Sequence, residues 1–307
     1  MIALNKNNIA FKALQPMFAV VANILLAYIV YFVARVAYLL ENYSLFKEGL
    51  SFEHLIRMFQ GGLMFDTTAI VYSNALYILL MLFPLWLKET NTYHRFCRWL
   101  FVIVNAIGLF LNLCDAVYFP FTLRRTTTSV FREFDNENNL GSIFVTELVN
   151  HWYFVLVFVV VVWGMYKLYR MPKSNIFHFN TPKNRWQFVG INFLSLAFAT
   201  VFCVGGARGG LQSGVRPITI SNANEYVKRP IECALVLNTP FALMRTIGKS
   251  IFKVPNTFAS LNNAAKYFTP IHTPNANVKA NKKNVVILIV ESFGREYMVA
   301  YSKQLEG

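Results

Sequence analysis

The sequence predicts an α-helical multi-pass membrane domain of about five transmembrane helices, followed by the first strand and the helix start of an α/β domain. Three observations predict it. Of 307 residues, 55% are hydrophobic and only 14% charged, and 29 are Phe, a balance outside that of soluble domains. Apolar stretches at roughly 17–40, 66–87, 99–120, 152–169 and 187–206 reach or approach the roughly 20 helical residues needed to cross a hydrocarbon core. Near the other end, Val285-Val286-Ile287-Leu288-Ile289-Val290 follows polar Asn281-Lys282-Lys283-Asn284, the pattern of a strand buried on both faces of a parallel sheet. The domain boundaries that follow are 1–206 for the membrane domain, 207–283 for an exported juxtamembrane linker with interfacial helices, and 284–307 for an incomplete α/β domain.

The first span is longer than the apolar core of a signal peptide and lacks a small-residue cleavage site, so it reads as a retained anchor. The fourth is the shortest, yet Val155 through Trp163 is unbroken apolar sequence. Loop charges set the orientation. Lys6 and Lys12 precede the first span. Lys88, Arg95 and Arg98 against Glu89 follow the second, and Lys167, Arg170, Lys173, Lys183 and Arg185 follow the fourth without an acid. The intervening loops mix signs, from Glu41 to Arg57 and from Arg124 to Glu147. The positive-inside rule then puts the N-terminus in the cytoplasm, and an odd number of spans puts everything after about residue 206 outside.

The net charge of +14 has its explanation in this basic loop pattern and in attraction to anionic phospholipid. No nucleic-acid recognition motif accompanies it. Four Cys are too scattered for a disulfide framework: Cys114 and Cys203 in apolar spans, Cys97 in a short loop, Cys233 in the later polar region. His54, His94, His151, His178 and His272 are equally dispersed and read as interfacial or surface residues.

Arg35, Asp66 and Asp115 lie inside or beside the spans, where a charge costs several kcal/mol unless it is paired or reaches the interface. The predicted topology gathers all three toward the outer leaflet. They either snorkel or pair to fix helix packing, or form a polar notch for a lipid headgroup. Gly205-Gly206-Ala207-Arg208-Gly209-Gly210 lacks the Gly-Lys-Ser/Thr ending of a phosphate loop and reads as a flexible exit from the bilayer, with Arg208 and Arg216 within reach of lipid phosphates. Thr239 through Lys253 predicts a helix with Thr239 as N-cap, Pro240 at its first position and Pro255 beyond its end. Arg245, Lys249 and Lys253 form one stripe beside an arc of Phe241, Met244, Ile247, Ile251 and Phe252, the segregation of an interfacial helix on the outer leaflet or of a surface helix packed on the exported domain. From there to about residue 283, Asn, Thr, Pro and Lys mark a linker.

Glu291 stands at the C-terminal end of the predicted strand, where α/β sheets bind their ligands and where a carboxylate is placed to hold a metal ion. Five spans, a basic connector and then Asn284-Val-Val-Ile-Leu-Ile-Val-Glu291-Ser292-Phe293-Gly294-Arg295-Glu296-Tyr297 resemble the lipoteichoic acid synthase family of phosphoglycerol transferases, relatives of the sulfatases and alkaline phosphatases. The specific part of that resemblance is the run from Asn284. It implies an alkaline-phosphatase-like (sulfatase) catalytic domain and a multi-pass protein of the bacterial cytoplasmic (inner) membrane. Glu291 would be a ligand of a divalent metal, most often manganese, that also contacts a Ser or Thr nucleophile and later Asp and His ligands. The nucleophile attacks a lipid phosphodiester, releases diacylglycerol and passes phosphoglycerol to an extracytoplasmic glycan or glycolipid acceptor.

Ser292 reads as the cap of the helix beginning near Phe293, and Arg295 and Glu296 as solvated positions. No catalytic residue is assigned within the chain. With one metal ligand and no nucleophile, these 307 residues are expected to be an inactive N-terminal fragment. Their last thirty residues should be poorly ordered or loosely docked. A phosphoethanolamine transferase or sulfatase of the same superfamily, or a non-enzymatic membrane module that binds lipid, are the alternatives. A transporter would show internal repeats or Gly/Pro-broken spans in corresponding positions, and the spans show neither.

Overall fold

The computed structural model describes residues 9–84, 90–134, 139–172, 182–209 and 217–248, with Asn263, Ala265, Tyr267, Phe268 and Val286 besides. The chain divides into two units, Met1–Lys249 and Ser250–Gly307. The described part of the first is mostly helical. Among the described residues there is no β-strand; the predicted strand and Glu291 lie outside them, apart from Val286, which is exposed.

Helix α1 spans Ile9–Glu41 and is followed by the single turn α2, Tyr43–Phe46. Helix α3, Phe52–Leu82, starts where the Ser51 hydroxyl accepts the His54 N–H at 3.2 Å, a cap that frees the polar first turns to stay helical outside the apolar stretch. Helix α4, Asn91–Thr122, starts in the same way, with Thr90 accepting the Tyr93 N–H at 3.3 Å, and stops at Leu123 with φ 53°. Cys97 therefore sits buried inside α4, not in a loop. The short α5, Val130–Phe134, precedes α6, Leu140–Asn150, which meets α7, Trp152–Leu168, at 80°. Helix α8 spans Pro182–Arg208. Among the described residues four helices (α1, α3, α4 and α8) are long and apolar enough to cross a membrane, five if the bent α6–α7 pair is one span, which is the build of a multi-pass membrane protein.

Helices α1, α3 and α4 pack against one another, α8 lies against α1 and α3, and α7 against α4. Tyr38, Phe65, Tyr77, Met81, Phe101 and Phe119 are wholly buried between them. Phe193, Leu194, Phe198 and Phe202 on α8, and Leu156, Val159 and Val160 on α7, stay exposed. Lipid tails are as apolar as these side chains, so helix association needs close approach and polar contacts instead. The Asn74 and Asn105 amides supply one by exchanging hydrogen bonds of 3.2 and 2.8 Å. Thr68 donates to the Gly206 carbonyl at 2.9 Å, and at Gly108 a Cβ would stand 2.9 Å from the Tyr31 hydroxyl. At one end of the bundle Asn23 ties α1 to the residues after α7, donating to the Arg170 carbonyl at 3.0 Å and accepting its N–H at 2.8 Å.

The opposite end departs from expectation. Helix α8 runs unbroken through Gly205 and Gly206 to Arg208, and the chain turns only at Gly209, with φ +80°. Two 3-10 turns, Ile220–Tyr226 and Pro230–Glu232, lead into α9, Cys233–Val236, and α10, Thr239–Thr246. This stretch belongs to the first unit and packs on it, although the sequence reads as linker. The cap of α10 is Asn238, whose Oδ1 accepts the Phe241 N–H at 2.8 Å, so Thr239 is already helical. Thr239, Pro240, Phe241 and Ala242 are buried against α3 and α4, with the Phe65 and Phe241 rings edge to face at 5.0 Å. The first turn of α10 thus packs into the bundle end, and its polar N-terminus is required there for the reason given below.

Candidate functional site

Residues Ala234–Thr239 form a plug whose carbonyls would be orphaned among apolar helices without dedicated donors, at a cost of roughly 1–3 kcal/mol each. Two arginines supply them. Arg35, on α1 and 4% exposed, donates to the Leu235 carbonyl, to that of Val236 at 2.7 Å and to that of Leu237 at 3.4 Å. Arg125, three residues after α4 and also 4% exposed, donates through Nε to the Ala234 carbonyl at 2.7 Å. A guanidinium suits this role because its planar fork presents several donors at once and stays charged.

Each arginine is neutralised by one of the carboxylates that the sequence singles out. Asp66 Oδ1 accepts from Arg35 at 2.5 Å and from the Asn238 amide at 2.8 Å. Asp115 Oδ2 accepts from Arg125 at 3.0 Å and from the Thr239 hydroxyl at 2.9 Å, while its Oδ1 accepts the Thr126 N–H at 3.1 Å and the Thr126 hydroxyl. Asn112, one turn before Asp115, accepts the Thr239 N–H at 3.1 Å. The Arg125 guanidinium lies 3.7 Å from the Tyr38 ring centroid, a cation–π contact inside the bundle. The site is sterically closed as well: a Cβ on Gly62 would stand 2.5 Å from Cζ of Arg35, and one on Gly61 2.3 Å from the Tyr226 ring.

A third tie lies beside these. His54, in the first turn of α3, donates from Nε2 to Glu232 Oε2 at 2.8 Å, and the same oxygen accepts the N–H groups of Lys228 at 3.0 Å and Arg229 at 3.1 Å. Glu232 Oε1 accepts from Arg229 Nε at 2.9 Å. Burial by itself raises the Glu232 pKa, but these donors outweigh it and hold the carboxyl down at about 2, against an ordinary value of 4.5. Because the folded value is depressed, this stabilisation is fully present above about 4.5 and is lost as pH falls toward about 2. The Tm difference between wild type and Glu232→Gln should therefore close across that window. A difference that stays constant with pH contradicts the assignment.

The geometry assigns Arg35, Asp66 and Asp115 to the first of their two expected roles, pairing and packing. The notch that could receive a headgroup is filled by the chain's own Leu235–Thr239. Arg245 donates to the Ala207 carbonyl at 3.4 Å, with its guanidinium 5.6 Å from the Phe241 ring centroid and 5.9 Å from that of Tyr72. Arg208 is half-buried at the end of α8, and Lys249, Lys253, Arg216 and Glu291 lie outside the described residues. His54 and His94 are buried, against the expectation of surface positions. Among the described residues no group of three His, Cys, Asp or Glu side chains is placed to hold a metal ion; Glu291, the expected ligand, lies outside them.

The sequence reading missed Arg125, Asn112, Asn238 and Thr239. A signal for Arg125 existed: Asp115 needs a cation, and Arg124-Arg125 is the basic pair that closes the same helix. Comparison with known proteins adds nothing: no family model, no curated protein and no solved structure matches the chain.

Proposed function

We propose that this chain carries the membrane domain and first catalytic strand of a metal-dependent phosphoglycerol transferase, similar to the lipoteichoic acid synthase family. Such an enzyme moves phosphoglycerol from a membrane lipid to an extracytoplasmic glycan or glycolipid acceptor through a Ser or Thr intermediate. The observation that carries the reading is the sequence run from Asn284 to Tyr297, with a carboxylate ending its apolar stretch, in a chain whose first unit is a multi-span helical bundle. A lipid donor and a bundle of this kind share one bilayer. Arg208 and Arg245, beside the plug, are the cations proposed to meet lipid phosphates.

Glu291 is the proposed metal ligand. The nucleophile and the remaining ligands must come from sequence other than these 307 residues. The test is to read the gene across the codon for Gly307 and to assay the product of the whole frame on phosphatidylglycerol vesicles with manganese. The expected result is a frame that continues into a Ser or Thr nucleophile and later Asp and His residues, with diacylglycerol release that Glu291→Ala abolishes. A stop codon directly after Gly307, or release that Glu291→Ala leaves intact, contradicts it. Release from phosphatidylethanolamine instead would favour the phosphoethanolamine transferase reading. Lipid binding with no release from any lipid would support the non-enzymatic module instead.

A further inference from the structure

We propose that α6 lies flat in the headgroup–acyl boundary of the leaflet at the plug end of the bundle, an in-plane amphipathic helix whose partner is the lipid surface itself. The sequence reading puts an interfacial helix at α10, but Phe241 and Ala242 of α10 are buried against α3 and α4. Helix α6 has the opposite character. Phe144, Val145, Leu148 and Val149 are 51%, 60%, 44% and 63% exposed. At about 100° per residue these four fall on one arc, while Ser142, Thr146, Glu147 and Asn150 fall on the other, with Ile143 among them.

Placement on the bundle turns this pattern into an orientation. Helix α6 joins α7 through an 80° elbow at His151, so if α7 crosses the bilayer α6 runs nearly parallel to its plane. The elbow is held on its polar side: His151 Nε2 is 3.4 Å from Glu41 Oε1 and its Nδ1 3.3 Å from Glu147 Oε2, and Tyr153 donates to Glu41 at 2.8 Å. Glu41 is the last residue of α1, which fixes α6 at the end where α1 and α4 finish and the plug enters. Beyond the elbow Leu156, Val159 and Val160 of α7 are exposed as well, and Trp152 stands 64% exposed at the junction, as aromatic side chains do at membrane interfaces. In the in-plane placement lipid covers this arc, whereas in water the same arc would be an uncovered apolar patch.

The inference rests on α7 spanning the bilayer, and the experiment separates the two. The full chain, reconstituted in vesicles of phosphatidylethanolamine and phosphatidylglycerol, carries the photo-crosslinker p-benzoylphenylalanine in place of Val145, of Ser142 or of Val159, and adducts are identified by mass spectrometry. The expected result is lipid adducts at Val145 comparable to those at Val159 and several-fold above those at Ser142. Lipid adducts at Val159 with none at Val145, or cross-links from Val145 to a second copy or another protein, overturn the in-plane placement. Absence of lipid adducts at Val159 overturns the spanning of α7 and the placement of α6 with it.

Discussion

Replacing Arg35 by Ala should lower the unfolding free energy by about 3–5 kcal/mol, the usual cost of stranding one member of a buried ion pair. The loss is large because one side chain serves two purposes. Without the guanidinium, the Asp66 carboxylate keeps only the Asn238 amide at 2.8 Å, and the carbonyls of Val236 and Leu237 lose their Arg35 donor. Chemical denaturation of the purified protein in detergent reads the effect. Arg35→Lys should recover only part of it, since an ammonium cannot span the carboxylate and a row of carbonyls in one plane. Gly62→Ala reaches the same contact from the other side. Its Cβ would stand 2.5 Å from Cζ of Arg35, and the overpacking should cost about 1–3 kcal/mol while both charges remain. Neutral behaviour of both variants contradicts the keyed plug.

Replacing Asp115 by Ala should be comparably severe, again about 3–5 kcal/mol, because Arg125 then stays buried and charged against Tyr38 without a carboxylate. Here four donors lose their acceptor together: Arg125, the Thr239 hydroxyl, and the N–H and hydroxyl of Thr126. The double variant Asp115→Ala with Arg125→Met should recover part of the loss, since removing both charges is milder than stranding one. The Ala234 carbonyl would still lose the donor that Arg125 provides at 2.7 Å, so recovery is incomplete. A double variant less stable than either single one would contradict the pairing.

The spans were legible because a run near 20 apolar residues has one stable destination, and the centres of all five predicted stretches fall within α1, α3, α4, α7 and α8. Their polar extensions were not, because Phe52–Phe65 stays helical through the Ser51 cap and tertiary contacts, and hydropathy does not register either. Arg35, Asp66 and Asp115 were legible as anomalies, since isolated charges in apolar runs need partners. Their partners were not legible, because Asn238 and Thr239 sit 172 and 124 positions away from Asp66 and Asp115 in a stretch whose composition is that of a loop. The amphipathic pattern of α10 did not show the burial of its first turn for a related reason: an apolar arc satisfies a bundle as well as a leaflet, and the polar residues that key it in look like loop. The pattern of α6 is the one that stays exposed.

A double-mutant cycle between Asp115→Asn and Thr239→Val tests most directly whether the plug is keyed into the bundle. Each substitution keeps volume nearly constant, and the two residues meet only if residues 234–239 enter between the helices, where the Thr239 hydroxyl lies 2.9 Å from Asp115 Oδ2. A coupling energy of about 0.5–3 kcal/mol is the predicted result, whereas additivity within about 0.3–0.5 kcal/mol would mean that the two side chains do not touch and would contradict the plug.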